Sequence, residues 1–219
     1  MAVSEPGPTS ATPLRSPSRR RVLHWATGAA IAIPALWFGV AWLRYPSDKT
    51  PEGAYLRVMS AVNRDRPEDF FPYIETEAQH ACYTLRDYKK KARDRVLAAY
   101  PEPERTRLAK RYEQIAAAPD GKDVFGIFAR ELAWMDRLRK DLNAVAKVEI
   151  QGERASVETV RGTRYPFRRR DNGIWGLTLF TAFLVAEAEK AARDFALIDK
   201  SAEDYERAAR QPKPDAPSK

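Results

Sequence analysis

The chain has 219 residues, with 38 Lys and Arg against 30 Asp and Glu, one Cys and two His. Five arginines and one Glu fall within residues 1–44, so the rest carries a net charge of only about +4, an ordinary solvated surface that argues against nucleic acid as a partner. A single Cys excludes an internal disulfide framework, and one Cys with two His cannot assemble a typical zinc site.

Residues 1–21 are Pro, Ser, Thr and Arg with few large apolar side chains, too little to offset ordering entropy, and read as a disordered basic cytoplasmic tail. Val22 to Leu43 is a run of 22 residues with no formal charge. As a helix it would be about 33 Å long, against a hydrocarbon core of about 30 Å. The apolar region of a signal peptide runs only about 7 to 15 residues. Trp25, Trp37 and Trp42 lie near the ends, where interfacial anchors sit, and Arg19, Arg20 and Arg21 precede the run. The expectation is a transmembrane helix or uncleaved signal anchor held in membrane lipid. The positive-inside bias keeps the N-terminus in the cytoplasm and puts the rest across a bacterial inner membrane. An alternative comes from Ser18-Arg19-Arg20-Arg21-Val22-Leu23-His24, which resembles the twin-arginine export signal. Gly39-Val40-Ala41 offers a small-x-small cleavage site that would release a secreted protein.

Residues 44–52 read as a short polar tether, 53–209 as the folded domain and 210–219 as a disordered tail. Tyr55, Val58, Met59 and Val62 repeat at helical spacing and predict a first helix over Gly53–Asp65. Pro67 opens a short turn bearing Phe70 and Phe71. Thr76-Glu77-Ala78-Gln79 has the form of a capping box starting a long helix to Tyr100. Ala78, Cys82, Leu85, Tyr88 and Ala92 form its apolar stripe, and Pro101 and Pro103 end it. Leu108, Tyr112 and Ile115 mark a third helix closed by Pro119-Asp120-Gly121. Phe125, Phe128, Leu132, Met135 and Leu138 mark a fourth.

Near residue 144 the apolar period changes to two, giving four strand-like runs to about residue 180. Val145, Lys147 and Glu149 alternate with Ala146, Val148 and Ile150. Gly152, Gly162 and Asn172-Gly173 supply turns, and Pro166 suits an edge strand or a bulge. Leu184, Ala188, Ala191, Phe195 and Ile198 then restore a helix. The predicted fold is α+β: helices packed on one face of a curved antiparallel sheet of about four strands, preceded by a transmembrane helix and followed by a C-terminal helix.

"YLRVMSAVNRDRPEDFFPYI" resembles the opening helix of the nuclear transport factor 2-like superfamily, with its acidic turn and short second helix. Gly152, Ala155-Ser156-Val157, Tyr165, Phe167 and Gly173-Ile174-Trp175 are similar to the strands of its bacterial exported members. The helical stretch over 76–142 and the helix after the sheet depart from that pattern. The resemblance implies a pocket between sheet and helices, in which enzymes of the superfamily use an Asp or His as general base. Here His80 stands alone beside Gln79 and reads as a surface or capping residue. No catalytic residue, cofactor or metal is assigned, and the domain is not expected to be an enzyme.

The expected function is protein–protein interaction or scaffolding in the bacterial envelope, with another envelope protein as partner. The alternative is a small apolar ligand in a sheet–helix pocket, with Phe125, Phe128 and Trp175 as candidate lining. Cys82 reads as a buried small hydrophobe, the functional alternative being an intermolecular disulfide in a homodimer. The basic runs at 86–95 and 168–170 read as solvated surface, or as contacts to anionic lipid headgroups.

Overall fold

The computed structural model describes residues 46–211; the predicted transmembrane segment, the arginines before it, the predicted N-terminal tail and residues 212–219 of the predicted C-terminal tail lie outside the described residues, while Arg210 of that tail ends the last helix. Among the described residues, no helix is long and apolar enough to cross a membrane. The elements run α1 (Pro51–Asn63), α2 (Pro67–Phe70), a 3₁₀ turn (Phe71–Tyr73), α3 (Thr76–Ala99), α4 (Glu104–Ala116), α5 (Gly121–Glu131) and α6 (Trp134–Asp141). The strands β1 (Val145–Gln151), β2 (Arg154–Thr159), β3 (Arg164–Arg169) and β4 (Trp175–Leu177) follow, and then α7 (Thr181–Arg210). The fold is thus α+β, as predicted, with a four-stranded antiparallel sheet in the order β1-β2-β3-β4.

Strand pairing sorts the sheet into two chemically different faces. Ala155, Phe167 and Leu177 stand opposite one another in one row, Val157 and Tyr165 in the next, and all five are buried. The intervening rows, Arg154/Arg168, Ser156/Pro166 and Glu158/Arg164, make a polar face. Helix α1 packs against β2 and β4. Its Tyr55 ring lies 5.5 Å from that of Tyr165, and the Tyr55 hydroxyl donates to the Asn143 carbonyl at 2.7 Å. That contact pins α1 to the residues that lead into β1.

The chain before α1 is bound to the fold. Thr50 caps α1 by accepting from Gly53 N at 3.1 Å, and Trp175 donates from its indole Nε1 to the Lys49 carbonyl at 3.1 Å. On the same edge, Ile74 bridges Leu177 in parallel and Glu75 N donates to the Leu177 carbonyl at 3.1 Å. Gly176 is required there, because a Cβ would sit 2.7 Å from the Ile74 carbonyl oxygen and 2.8 Å from Glu75 Cα.

Helices α3 and α7 run parallel: Glu75 meets Thr181, Lys89 meets Asp194 and Arg95 meets Asp199. Helix α4 returns antiparallel to α3, with Arg93 on Glu113 and Arg86 on the Pro119 carbonyl. These three helices share a second small core of Ala92, Val96, Tyr100, Tyr112, Ile198 and Ala202.

Several predicted details are corrected. Thr76 is the first residue of α3 rather than its cap; Glu75 occupies the cap position, but its side chain makes no capping bond to the helix backbone. Arg170 instead donates to the Thr76 hydroxyl at 3.1 Å and to Gln79 Oε1 at 2.8 Å. The predicted fourth helix is two, α5 and α6. Helix α1 starts at Pro51, so part of the predicted tether is helical. Pro166 lies in the internal strand β3, not at an edge. Its carbonyl points towards β4 and accepts from Thr178 N at 3.0 Å, so its missing N–H faces the place where β4 has ended. A bulge between Val145 and Lys147 breaks the predicted alternation at the start of β1, and Ile150, near the other end of this edge strand, is exposed although it stands opposite buried Ala155.

Replacing Gly176 by Ala forces the β4 edge apart from the Ile74–Glu75 segment. The urea midpoint should fall by the equivalent of about 1 to 3 kcal/mol with no change in slope. An unchanged midpoint would mean that this edge contact is not closed in solution.

Candidate functional site

The interruption between α5 and α6 creates the most distinctive surface. Asp120 caps α5, accepting from Gly121 N at 2.6 Å, and Val124, Phe125, Phe128 and Ala129 face the core. At the other end, Leu132 N and Ala133 N bond the carbonyls of Phe128 and Arg130. Ala133 then takes a left-handed conformation with φ 51°. That conformation costs an ordinary L-residue about 1 to 2 kcal/mol, and it restarts the helix in a new direction. The turn leaves Leu132 39% exposed and sets Trp134 inward.

Trp134 stacks on Phe180 with ring centroids 4.3 Å apart, and meets the edge of Phe183 at 5.4 Å. These aromatics floor a groove of about 550 Å³ between α6, the start of β3 and the start of α7. Its rim is Leu132, Leu179 (50% exposed) and Phe183 (37% exposed). Arg137, Asp141 and Arg164 supply charges around it. Arg137 donates from Nη2 to the Leu132 carbonyl at 2.6 Å, holding the helix break, and Arg164 donates from Nε to Glu158 at 3.0 Å.

The groove wall also holds an unanswered polar group. Tyr165 lines it, yet its hydroxyl is sealed from water and has no hydrogen-bond partner among the described residues. Burial, aided by Tyr55 and the Asp141 charge, pushes this phenol up to about 12. The other buried hydroxyl without a partner among the described residues is that of Thr159. Thr159 N donates to the carbonyl of Thr163, itself a groove residue, so both lie at this end of the sheet.

The predicted lining residues lie elsewhere. Phe125 is fully buried among Phe70, Trp134 and Phe180, and Phe128 lies under Trp134 and Phe183, so both support the groove from within. Trp175 is a core residue on β4, and none of the three lines the groove. Sequence reasoning missed Trp134, Phe180 and Phe183. The available signal was the aromatic doublet flanking a helix start, Phe180 and Phe183.

A second, polar surface lies where Arg168, Arg169 and Arg170 face the start of α3. Glu75 accepts from Arg168 Nη1 at 3.1 Å and from the Thr181 hydroxyl at 2.7 Å. Arg169 lies 3.7 Å from Glu153. His80 is exposed on this cleft. Arginines and carboxylates alternate there, which gives no single-sign field. Among the described residues no cluster of three or more potential metal-ligating side chains occurs. The basic run at 86–95 is largely paired within the fold, through Lys89–Asp194, Arg93–Glu113 and the bonds of Arg95 to Asp199 and Glu206.

Cys82 is fully buried, and burial pushes its thiol up to about 12. A disulfide between two copies through this residue would require the core to open. Comparison with family models, curated proteins and solved structures finds no match to this chain.

The raised thiol and phenol give a pH dependence with a definite sign. Both folded-state values lie above the ordinary ones of about 8.5 and 10, so the unfolded chain releases its protons first. Their contribution is complete below those values and is lost as pH rises towards about 12. Urea midpoints should therefore fall through the alkaline range, and a maleimide should label Cys82 only as fast as the protein unfolds. Rapid labelling of native protein near neutral pH would contradict the buried placement.

Proposed function

We propose that the chain is a single-pass membrane protein of the bacterial envelope, with its N-terminus in the cytoplasm and its folded domain on the far side. In this reading the domain is a non-enzymatic binding module of nuclear transport factor 2-like type, and the groove beside Trp134 is its binding site. The groove carries the reading. It is concave, falls within the roughly 300 to 1,000 Å³ usual for small-ligand sites, and joins an aromatic floor to a few polar groups. Three large apolar side chains exposed around one concavity form the kind of patch that marks an interaction site. The 22-residue uncharged run and the arginines before it support the membrane placement. The alternative of export by a twin-arginine-like signal, followed by release, leaves the binding role unchanged.

A second reading, docking of another envelope protein, is favoured by the helical arm of α3, α4 and α7, where Leu97 and Leu197 are exposed.

Two measurements test the proposal. In spheroplasts, added protease should remove the domain and leave a short membrane-bound fragment containing Val22 to Leu43; a soluble product beginning at Trp42 would instead show a cleaved signal. Native mass spectrometry of the gently solubilised chain should show a small apolar adduct. Leu179→Asp, at the half-exposed rim, should lose that adduct with little change in melting temperature. An adduct equally abundant in this variant would move the site away from the groove.

A further inference from the structure

We propose that the groove beside Trp134 takes an apolar carboxylate: a ring or acyl body against Trp134, Phe180 and Phe183, with its carboxylate on the Arg137 guanidinium and the Tyr165 hydroxyl as a second donor. This rests on the groove being the binding site and adds the chemistry of the head group.

The apolar half follows from the floor and rim. The polar half follows from which groups there lack partners. Nearby arginines are matched: Arg139 pairs with Asp65 and Asp136, Arg130 with Glu68, and Arg164 with Glu158. No ion pair joins Arg137 to any carboxylate among the described residues, and its bond to the Leu132 carbonyl uses only one end of the fork. Asp141, one turn further along α6, is not within ion-pair distance of it. Arg137 is exposed at the groove's edge, and a guanidinium beside an apolar floor suits a carboxylate, which it can grip with two parallel bonds.

The hydroxyl of Tyr165 points to the same conclusion independently. A buried donor without an acceptor is a standing cost, which an incoming oxygen removes once the ligand displaces the side chains that close the hydroxyl off. A neutral hydrocarbon would leave both donors unanswered, and a cationic ligand could meet Asp141 but would still leave the Arg137 guanidinium and the Tyr165 hydroxyl without an acceptor. The carboxylate answers both donors, and the apolar body covers the exposed rim.

Isothermal titration of the full chain in phosphatidylcholine nanodiscs, corrected against empty discs, can compare naphthalene-1-acetate with its neutral amide. The acid should bind about 10-fold or more tightly than the amide, the usual value of one charge-assisted hydrogen bond. Arg137→Gln should bring the acid down to the level of the amide while leaving the amide unchanged, and Arg137→Lys should retain part of the preference. Tyr165→Phe should weaken the acid by roughly 5-fold without lowering the melting temperature, because it deletes a hydroxyl that has no partner in the free protein. Equal binding of acid and amide by the unaltered chain would overturn the head-group assignment and leave the groove reading standing. Binding of neither would overturn both.

Discussion

Glu75 holds three chain segments at one point. Its backbone bonds to the end of β4, its carboxylate receives Arg168 from β3, and its other oxygen receives the Thr181 hydroxyl at the start of α7. Helix α3 begins at the next residue. The two longest helices therefore leave the sheet from one junction, and their parallel course follows from that shared origin. Gly176 permits the close approach, since any side chain there would collide with the Ile74–Glu75 backbone. The sheet edge, the arm and the entry to α7 all depend on a contact of a few residues.

Away from this junction, apolar packing and charge divide the work. The second core supplies the cohesion of the arm, whereas partly exposed ion pairs contribute only about 0 to 1 kcal/mol each. Lys89–Asp194 and the Arg95 bonds to Glu206 and Asp199 instead fix how far along α3 the helix α7 sits. A slip of one turn would separate these partners. Bonding to Glu206 and Asp199 raises the Arg95 guanidinium above its ordinary value, so this charge is present at every accessible pH.

The sheet was legible because its turn residues are chemically demanding. Gly152, Gly162 and Gly173 all adopt positive φ, where other residues are strained, and each falls between two period-2 runs. The helical periods of α1, α3 and α7 were legible for the same local reason. What could not be read was set by residues far apart in sequence. Arg170 takes the Thr76 and Gln79 side chains that a capping box would have used, from more than 90 positions away. The break at Ala133 was hidden because Phe128, Leu132, Met135 and Leu138 keep helical spacing across it, although Leu132 turns outward. That one misreading also concealed the groove and directed attention to Phe125 and Phe128, which lie beneath it.

Unmet bonding beside a left-handed residue gives the groove its significance; the other left-handed non-glycine among the described residues, Asp65, follows α1 away from the groove lining. A left-handed Ala costs about 1 to 2 kcal/mol, and a sealed hydroxyl without a partner about 1 to 3. Against a total stability of about 5 to 15 kcal/mol, a domain can carry few such defects. Elsewhere the core is well satisfied: Tyr55, Tyr100 and Trp175 all find backbone carbonyls for their donors. The left-handed Ala133 and the unanswered Tyr165 flank the same groove, and the unanswered Thr159 bonds to one of its residues. Folding alone gains nothing from placing them together, since Gly at 133 or Phe at 165 would relieve the first two. Their coincidence with an aromatic floor and a guanidinium that has no ion pair among the described residues is explained if the groove is completed by a ligand.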